Sequence, residues 1–386
     1  MTVTRKPLKR SERGAVPPFI VMDVMRAANE REAAGEDVLH LEVGQPATPA
    51  PKGVRDAVRD VLEQDRLGYT DAFGLPAFRS ATVGHYQSMY GLDLPTDRIV
   101  ATTGSSGGFV LAFLACFDPG DRVALAAPGY PAYRNILTAL DITVVEIPVG
   151  PETNFQPTPE LIDRVAGPLA GLIVASPSNP TGTMIGEAEL KALVDYCADR
   201  GVRMISDEIY HGITYGQPAV SAAAFSDDVV VVNSFSKYFS MTGWRIGWMV
   251  LPEDLLRSIE CLSQNLFISP PTLSQYAAMA AFDCRAELDA NVAAYARNRE
   301  VLLRDLPKAG FDKLASADGA FYIYADVGHL TNDSPDFCKT LLAETGVAIT
   351  PGTDFDPGRG NRFVRFSFAG ATAAMEEAAR RLIARV

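Results

Sequence analysis

Short apolar segments rich in valine and isoleucine alternate with helical patterns between residues 98 and 250, and this alternation restricts the fold more than any other feature. The apolar segments are RIVAT, RVALAA, ITVVEIPV, GLIVAS, VRMIS, VVVVN and RIGWMV. Continuous apolar segments of this length are typical of parallel strands that are covered on both faces. Because helical patterns separate them, the sequence predicts an α/β fold with a mostly parallel sheet flanked by helices.

The pattern changes after residue 250, where helical patterns extend to about residue 306 and strand patterns follow at GAFYIYADV, VAIT and NRFVRFSFA. This mixture predicts a smaller α+β domain, and a chain of 386 residues exceeds the usual size of a single core. The proline-rich segment GQPATPAPKG resembles a linker, so the residues before it are expected to pack with the C-terminal part. We predict an N-terminal arm and part of the small domain over 1–45, a large domain over 46–290 and the rest of the small domain over 291–386.

Charge and cysteine usage exclude several classes of protein. The net charge of −12 argues against nucleic acid or an anionic membrane as a partner. The basic N-terminus lacks the apolar region of a secretory signal, and no apolar run is long enough for a membrane span. The five cysteines are scattered and do not cluster with the four histidines, so we expect no disulfide framework and no metal site. These features predict a cytoplasmic protein.

The segment NSFSKYFSMTGWRIGW places Lys237 among three aromatic residues, and no other lysine occurs between Lys191 and Lys308. This chain uses arginine for most of its cations. Arginine stays protonated, whereas a lysine that is removed from water loses its proton more easily and becomes a nucleophilic amine. Lys237 is therefore a candidate for covalent chemistry.

Polar residues follow several of the predicted strands, at the edge of the sheet where α/β proteins bind ligands. The segment TTGSSGG follows the first strand and opens a helix, so Ser105, Ser106 and free backbone N–H groups could hold a phosphate. The alternative is a glycine-rich turn with a serine cap. Tyr130 in APGYPAYRN could present a flat ring, or pack in a turn. Asn179 in SPSNPTG precedes a proline and could point into the crevice, or form an ordinary turn.

Asp207 in SDEIY closes an apolar strand, where a carboxylate is costly unless a cation is near it. A structural ion pair or a helix cap is the alternative interpretation. One ligand would satisfy all these residues, because it would carry a phosphate, a stacking ring, a ring nitrogen that becomes cationic and an aldehyde that a lysine captures. Pyridoxal 5′-phosphate has these features.

Nearly the whole chain resembles the class I/II aminotransferases, which are pyridoxal-phosphate enzymes of fold type I, similar to aspartate aminotransferase. The resemblance rests on LEVGQPATPAP, YTDAFGLPAFRSA, SPSNPTG, SDEIY, SFSKYFSMTGWRIGW and FVRFSFA, which occur in the family's order. It implies a large domain with a mostly parallel sheet, and a smaller α+β domain built from both termini.

The resemblance also implies a role for each matching residue. Lys237 would bind the cofactor as a Schiff base and move the substrate proton, and Asp207 would keep the pyridine nitrogen protonated. Tyr210 and Asn179 would bind the phenolic oxygen, and Tyr130 would stack on the ring. Tyr69 would reach the phosphate bound by the neighbouring subunit, which implies a homodimer with shared sites. The phosphate would be surrounded by Ser105, Ser106, Ser234, Ser236 and Arg245. The substrate carboxylate would be bound by Arg365, with Asn179 and Gly44 beside it.

We therefore expect an aminotransferase that moves an amino group between an L-amino acid and a 2-oxo acid by a ping-pong mechanism. A β-lyase that cleaves C–S bonds, or a related α-synthase, uses nearly the same residues and remains an alternative. The sensor domain of a transcription regulator would need an upstream DNA-binding module, and a dehydrogenase would need GxGxxG, which is absent. No cation lies between Arg98 and Arg122 or between Arg257 and Arg285, so we expect a neutral substrate with an apolar or aromatic side chain.

Overall fold

The structure is a computed structural model that describes residues 8–64 and 66–386. The predicted N-terminal arm is therefore described only from residue 8 onward. The strands are β1 (Leu39–His40), β2 (Ile99–Thr102), β3 (Arg122–Ala127), β4 (Thr143–Pro148), β5 (Gly171–Ala175), β6 (Arg203–Asp207), β7 (Val230–Ser234), β8 (Gly247–Val250), β9 (Lys313–Leu314), β10 (Tyr322–Asp326), β11 (Val347–Ala348), β12 (Thr350–Pro351) and β13 (Phe363–Ser367).

The α-helices lie between these strands and at the two ends of the described chain. They are α1 (Ile20–Ala33), α2 (Lys52–Gln64), α3 (Pro76–Tyr90), α4 (Gly104–Cys116), α5 (Pro131–Ala139), α6 (Pro159–Ile162), α7 (Glu187–Arg200), α8 (Leu256–Leu266), α9 (Thr272–Phe282), α10 (Arg285–Asp305), α11 (Ser334–Thr345) and α12 (Thr372–Ala384).

The main sheet has seven strands in the order β2-β8-β7-β6-β5-β3-β4. Strands β7, β6, β5, β3 and β4 run parallel, whereas β8 is antiparallel to both of its neighbours. The α/β fold class with a mostly parallel sheet is confirmed. The apolar segment RIGWMV is the exception to the parallel pattern, because β8 follows β7 after a turn of twelve residues, without a crossover helix.

Most of the apolar strand segments are buried on both faces of the main sheet; the exception is the edge strand β4, in which only Ile147 is buried. In β7, Val230 and Val232 belong to one hydrophobic cluster, and Val231 belongs to the other. Strand β6 divides in the same way, with Ile205 on one face and Met204 on the other. Alternate residues of a strand point to opposite faces, so a strand that is apolar at every position needs helices on both sides.

A second sheet, in the order β12-β13-β10-β9, is antiparallel and comes from the C-terminal part of the chain. The short strand β1 pairs in parallel with β11 and so connects residues 39–40 to residues 347–348. The division of the chain at residues 45 and 290 remains a prediction. None of the helices in the described residues has the length and apolarity needed to cross a bilayer.

Candidate active site

A cavity of about 640 Å³ lies at the carboxyl ends of β5 and β6, and β10 and β13 contribute its opposite wall. Eleven of the thirteen residues predicted for the site line this cavity. They are Gly44, Ser105, Ser106, Tyr130, Asn179, Asp207, Tyr210, Ser236, Lys237, Arg245 and Arg365. Ser234 and Tyr69 do not line it. The cavity has the size of an ordinary small-molecule site.

Lys237 lies in the turn after β7, between the buried aromatic residues Phe235 and Tyr238. Its Nζ donates a hydrogen bond of 2.5 Å to the carbonyl oxygen of Gly44 and lies 5.8 Å from the ring centre of Tyr210. Burial lowers the pKa of Lys237 to about 8, and the nearby charge of Arg365 acts in the same direction. The amine is therefore easier to deprotonate than an ordinary lysine, which suits a nucleophile.

Asp207 is the last residue of β6 and is only 4% exposed. Its Oδ1 accepts a hydrogen bond of 3.0 Å from the backbone N–H of Ile209, and its Oδ2 accepts one from the hydroxyl of Tyr133. Burial raises the pKa of Asp207 to about 6, although the hydrogen bond from Tyr133 opposes this shift. A buried carboxylate that faces a cavity favours a ligand with a cationic N–H group.

Tyr133 was not among the predicted site residues. It lies in the first turn of α5, three residues after Tyr130, and the two rings meet edge to face with 5.3 Å between their centres. Three residues are close to one helical turn, so the spacing in YPAY was a usable signal that both tyrosines face the same side. No sequence pattern indicated that the hydroxyl of Tyr133 would bind Asp207.

The N-terminus of α4 forms one end of the cavity, where Ser105 and Ser106 present free N–H groups and hydroxyls. Gly104 has a φ of +74°, and a Cβ at this position would lie 2.5 Å from Nη2 of Arg245. The guanidinium of Arg245 therefore lies directly against the start of the helix. A helix N-terminus with an adjacent arginine is a suitable site for a phosphate.

The two serines that flank Phe235 have different surroundings. Ser236 lines the cavity, whereas the hydroxyl of Ser234 donates to Oγ of Ser236 at 2.9 Å and lies 3.2 Å from the carbonyl oxygen of Ile246. The N–H of Ser236 also donates to Oγ of Ser234 at 3.1 Å. Ser234, the last residue of β7, thus lies behind the wall of the cavity and supports Ser236 through these hydrogen bonds.

Arg365 lies on β13 and is 3% exposed. Its Nη1 donates to Oδ1 of Asn179 at 2.8 Å, and its Nη2 donates to the carbonyl oxygen of Glu42 and to Oγ1 of Thr350. Its Nε has no hydrogen-bond partner, and no carboxylate of the described residues forms an ion pair with it. A buried guanidinium without a counter-charge favours an anionic ligand.

Tyr322 is a second site residue that was absent from the sequence prediction. Its hydroxyl lies 2.7 Å from the hydroxyl of Tyr210, and its ring centre lies 4.4 Å from the guanidinium carbon of Arg365. A Cβ on Gly44 would overlap the hydroxyl of Tyr322, so glycine is required at that position. The segment GAFYIYADV was identified as a strand, but its pattern did not indicate which tyrosine would face the cavity.

Tyr69 is 83% exposed and lies between α2 and α3, outside the cavity. The next residue, Thr70, donates its N–H to Oγ of Ser269 at 3.4 Å, which fixes the segment against the loop between α8 and α9. Tyr69 therefore makes no contact with the cavity of its own chain.

The comparisons with known proteins agree with this geometry. Residues 36–382 match the family model for aminotransferase class I and II. The chain is 54% identical over 374 residues to a valine–pyruvate aminotransferase from Mycobacterium tuberculosis, with 96% of each chain covered. It is 32% identical over 347 residues to an aspartate/prephenate aminotransferase from Thermus thermophilus, with 88% of this chain and 90% of the relative covered.

Solved structures give the same result. An aminotransferase from Mycobacterium tuberculosis has a TM-score of 0.97 at 53% identity, with 98% of this chain and 99% of that chain covered. The aspartate aminotransferase from Thermus thermophilus with maleate has a TM-score of 0.93 at 31% identity, with 98% and 100% covered. These names do not favour the alternative of a lyase. The chain belongs to the class I and II aminotransferases, enzymes that use pyridoxal 5′-phosphate to exchange amino groups between amino acids and 2-oxo acids.

Proposed function

We propose that the preferred amino donor is a neutral L-amino acid with an apolar side chain, with valine as the first candidate, and that a small 2-oxo acid such as pyruvate accepts the amino group. The observation that carries this proposal is the set of cations around the cavity. Among the described lining residues, only Lys237, Arg245 and Arg365 carry a positive charge at neutral pH.

Each of the three cations already has a role, so none of them is left to pair with a second carboxylate on the substrate. Arg245 lies at the phosphate end, beside Gly104, and Lys237 is the candidate for covalent attachment of the cofactor. Arg365 is then left for the α-carboxylate. The second carboxylate of an aspartate side chain would be desolvated without a counter-charge, and this costs several kcal/mol.

The remaining walls of the cavity favour an apolar side chain. Phe19, Val21 and Met22 at the start of α1 line it, together with Val43. The ring of Phe19 packs against that of Tyr130, with 5.7 Å between the centres. Burial of a branched aliphatic group against these side chains contributes about 25 cal/mol per Å² of apolar surface. The name of the relative from Mycobacterium tuberculosis, a valine–pyruvate aminotransferase, supports the same choice.

The residues around the cavity fit the family cofactor. Asp207 offers a buried carboxylate for a cationic ring nitrogen, and the N-terminus of α4 with Arg245 offers the donors that a phosphate requires. Asn179 and Tyr210 supply an amide and a hydroxyl at the same cavity wall. Pyridoxal 5′-phosphate supplies, when bound, an aldehyde that captures amines and a ring that withdraws electrons from the substrate Cα.

The protein side chains then move and hold protons. Lys237 is the base that removes the proton from Cα, and its lowered pKa leaves a useful fraction of neutral amine near pH 8. Asp207 would hold the negative charge that pairs with a cationic ring nitrogen, and Tyr133 fixes the orientation of its carboxylate. Arg365 orients the substrate by binding its carboxylate from a rigid, buried position.

The inference on subunit assembly rests on Tyr69, which lies outside the cavity of its own chain. We infer a cytoplasmic homodimer in which Tyr69 of one subunit completes the phosphate site of the other. Its exposure of 83% supports this inference, together with the exposed apolar side chains of Leu266, at the end of α8, and Ile268, in the loop that follows. We also infer that the small domain contains the N-terminal segment, since β1 pairs with β11.

A comparison of kcat/KM among donors tests the substrate. We expect valine, leucine and methionine to exceed aspartate by at least about tenfold, which corresponds to about 1.4 kcal/mol of differential binding. Pyruvate and 2-oxoglutarate should be compared as acceptors, and phenylalanine should be included because the wall contains aromatic rings. A preference for aspartate of the same size would contradict the proposal.

A further inference from the structure

A second cavity of about 610 Å³ lies on the other side of the turn that carries Lys237. Its walls come from α2, α3, α9 and the first turn of α10, and its inner surface includes Tyr238 and Phe239. These two residues directly follow Lys237 in the chain. The cavity is nearly as large as the active site, and the proposed transamination uses none of its residues.

His85 forms the most specific part of the lining. Its ring stacks on Phe282 with 4.8 Å between the centres and an interplanar angle of 26°, and its edge contacts Phe239 and Trp248. Neither ring nitrogen forms a hydrogen bond with any of the described residues. Burial lowers the pKa of His85 to about 4, so at neutral pH one nitrogen donates and the other accepts. The cavity thus offers an aromatic wall with one polar position.

The rim of the cavity carries one charge of each sign, two residues apart. In the described part of the chain, Asp283 forms no ion pair, and Arg285 reaches Asp289 only through Nε at 3.5 Å. Both side chains line the cavity. An acid and a base at one rim match a zwitterion better than an ion of a single charge.

Gly84 lines the same cavity from the middle of α3. A Cβ at Gly84 would have no atom within 4 Å apart from its neighbours in the helix, so no close contact within the chain requires glycine. Glycine inside a helix is less stable than alanine would be. The absent side chain keeps the mouth of the cavity open beside His85.

We propose that this cavity is a second small-molecule site, distinct from the active site, which binds a zwitterionic α-amino acid with an aromatic side chain. The ring lies against His85 and Phe282, the ammonium group faces Asp283, and the carboxylate pairs with Arg285. The apolar side chains of Val61, Met89, Met279 and Leu288 enclose the remaining surface.

Occupation of this site acts on the active site through Tyr238. The hydroxyl of Tyr238 donates a hydrogen bond of 2.6 Å to Oδ1 of Asp289, and Oδ2 of Asp289 is the atom that faces Arg285. A ligand carboxylate competes with Asp289 for Arg285. A bound ligand thereby changes the position of Asp289, which holds the hydroxyl of Tyr238. Because Tyr238 is next to Lys237 in the chain, this change links the second site to turnover. This effect does not depend on which amino acid is the preferred donor.

The test uses holoenzyme that has been reduced with borohydride, so that the active-site lysine is capped and no reaction occurs. Calorimetric titration with L-phenylalanine should give binding by the wild type, and L-alanine, phenethylamine and 3-phenylpropionate should each bind at least about tenfold more weakly. Gly84→Leu places a side chain in the cavity and should weaken L-phenylalanine binding by at least about tenfold. Gln87→Leu, which introduces the same side chain on the exposed face of α3, should bind within about twofold of the wild type.

Three results would overturn the proposal. The first is absence of L-phenylalanine binding by the reduced wild type. The second is equal binding by the wild type and Gly84→Leu, because the probe would then occupy only the active site. The third is a change of subunit assembly in Gly84→Leu, seen by size-exclusion chromatography with light scattering, because the face would then be a subunit interface. None of these results bears on the donor comparison proposed above.

Discussion

Single residues around the cavity owe their reactivity to burial and to one or two defined contacts. Lys237 is deprotonated more easily because it is surrounded by protein and by the charge of Arg365, while Asp207 is protonated more easily because it is buried. The two shifts have opposite signs for one reason. Removal from water disfavours the charged form of both a lysine and an aspartate. The hydroxyl of Tyr133 restrains Asp207, and the hydroxyl of Tyr322 restrains Tyr210. A change of either tyrosine to phenylalanine removes the hydroxyl and keeps the ring.

The hydroxyl of Tyr133 stabilises the charged form of Asp207. In Tyr133→Phe the pKa of Asp207 rises further, so the carboxylate is protonated at a higher pH. Activity falls as the pH decreases through this pKa, and the acid limb of the kcat/KM profile should therefore move to higher pH in the variant.

Asp207→Asn removes the charge and should lower kcat by about 10²–10³ or more.

The control for the shift of the acid limb in Tyr133→Phe is Tyr130→Phe. The Tyr130 ring also faces the cavity, but its hydroxyl forms no hydrogen bond with Asp207. Its acid limb should remain at the position of the wild type. An unchanged acid limb in Tyr133→Phe, with full cofactor content, would contradict the role given to this hydroxyl.

Gly44 and Tyr322 form a pair in which one residue makes room for the other. Gly44→Ala places a Cβ on the hydroxyl of Tyr322 and should displace the backbone that accepts the hydrogen bond from Lys237. We expect a loss of at least about tenfold in kcat/KM. Tyr322→Phe alone removes one hydrogen bond with Tyr210 and should cost about 1 kcal/mol, or about fivefold.

The double variant tests whether the loss of activity in Gly44→Ala comes from overlap of the new Cβ with the hydroxyl of Tyr322. In Gly44→Ala with Tyr322→Phe, the overlapping oxygen is gone, and the nearest ring atoms would be 2.9 and 3.1 Å from the new Cβ. The two losses should therefore combine to less than their sum, with a coupling of about 1 kcal/mol. Strict additivity of the two losses would show that the two residues do not restrict each other.

At the scale of secondary-structure elements, the site depends on where strands end and where one helix begins. Asp207 closes β6, Lys237 follows β7 within three residues, and α4 begins within two residues of the end of β2. Parallel strands bring their carboxyl ends to one edge of the sheet, and the helix N-terminus adds a positive electrostatic potential at the same edge. The antiparallel strand β8 then returns the chain from this edge and places Arg245 beside Gly104.

Gly104→Ala should weaken the phosphate end of the cofactor site. Alanine at a φ of +74° is strained, and its Cβ would meet the guanidinium of Arg245 at 2.5 Å. The variant should retain less pyridoxal phosphate after dialysis, with an increase in cofactor Kd of at least about tenfold, since the guanidinium must move. Absorbance of the bound cofactor measures this loss directly.

Gly120→Ala is the matched control, because Gly120 also has a positive φ, +93°, but a Cβ there would meet no atom within 4 Å. Both variants should lose about 1 kcal/mol of stability from backbone strain. Only Gly104→Ala should lose cofactor. Equal cofactor content in the two variants would show that Arg245 adapts without cost.

At the scale of the whole molecule, the active-site cavity of a single chain does not account for every residue of the family pattern. Tyr69 is exposed and lies outside its own cavity, and the hydrogen bond from Thr70 to Ser269 joins its segment to the one that carries the exposed apolar residues Leu266 and Ile268. Apolar side chains that are grouped at a surface are typical of subunit interfaces. A symmetric dimer would bring Tyr69 of each chain to the phosphate end of the other chain.

Mixed dimers test this arrangement. Subunits with Lys237→Ala and subunits with Tyr69→Phe are each impaired, but a mixed dimer would hold both changes in one site and leave the other site intact. Random exchange of equal amounts should restore about a quarter of the wild-type sites. The pair Lys237→Ala and Arg365→Ala is the control, because these residues line the same cavity of one chain. In that mixture both sites of each mixed dimer carry a change, and no activity should return.

The sequence by itself determined the order of strands and helices, and with it the polar residues at strand ends. Lys237, Asp207 and Asn179 could be assigned to one site because parallel strands end at a common edge, which follows from local pattern and topology. Only the tertiary structure decided that Tyr133 binds Asp207, that Tyr322 binds Tyr210, and that Ser234 lies behind the cavity wall. The contact between Tyr322 and Tyr210 joins segments 112 residues apart and depends on how the second sheet packs against the main sheet. The contact between Tyr133 on α5 and Asp207 on β6 joins segments 74 residues apart, and no local pattern encodes either arrangement.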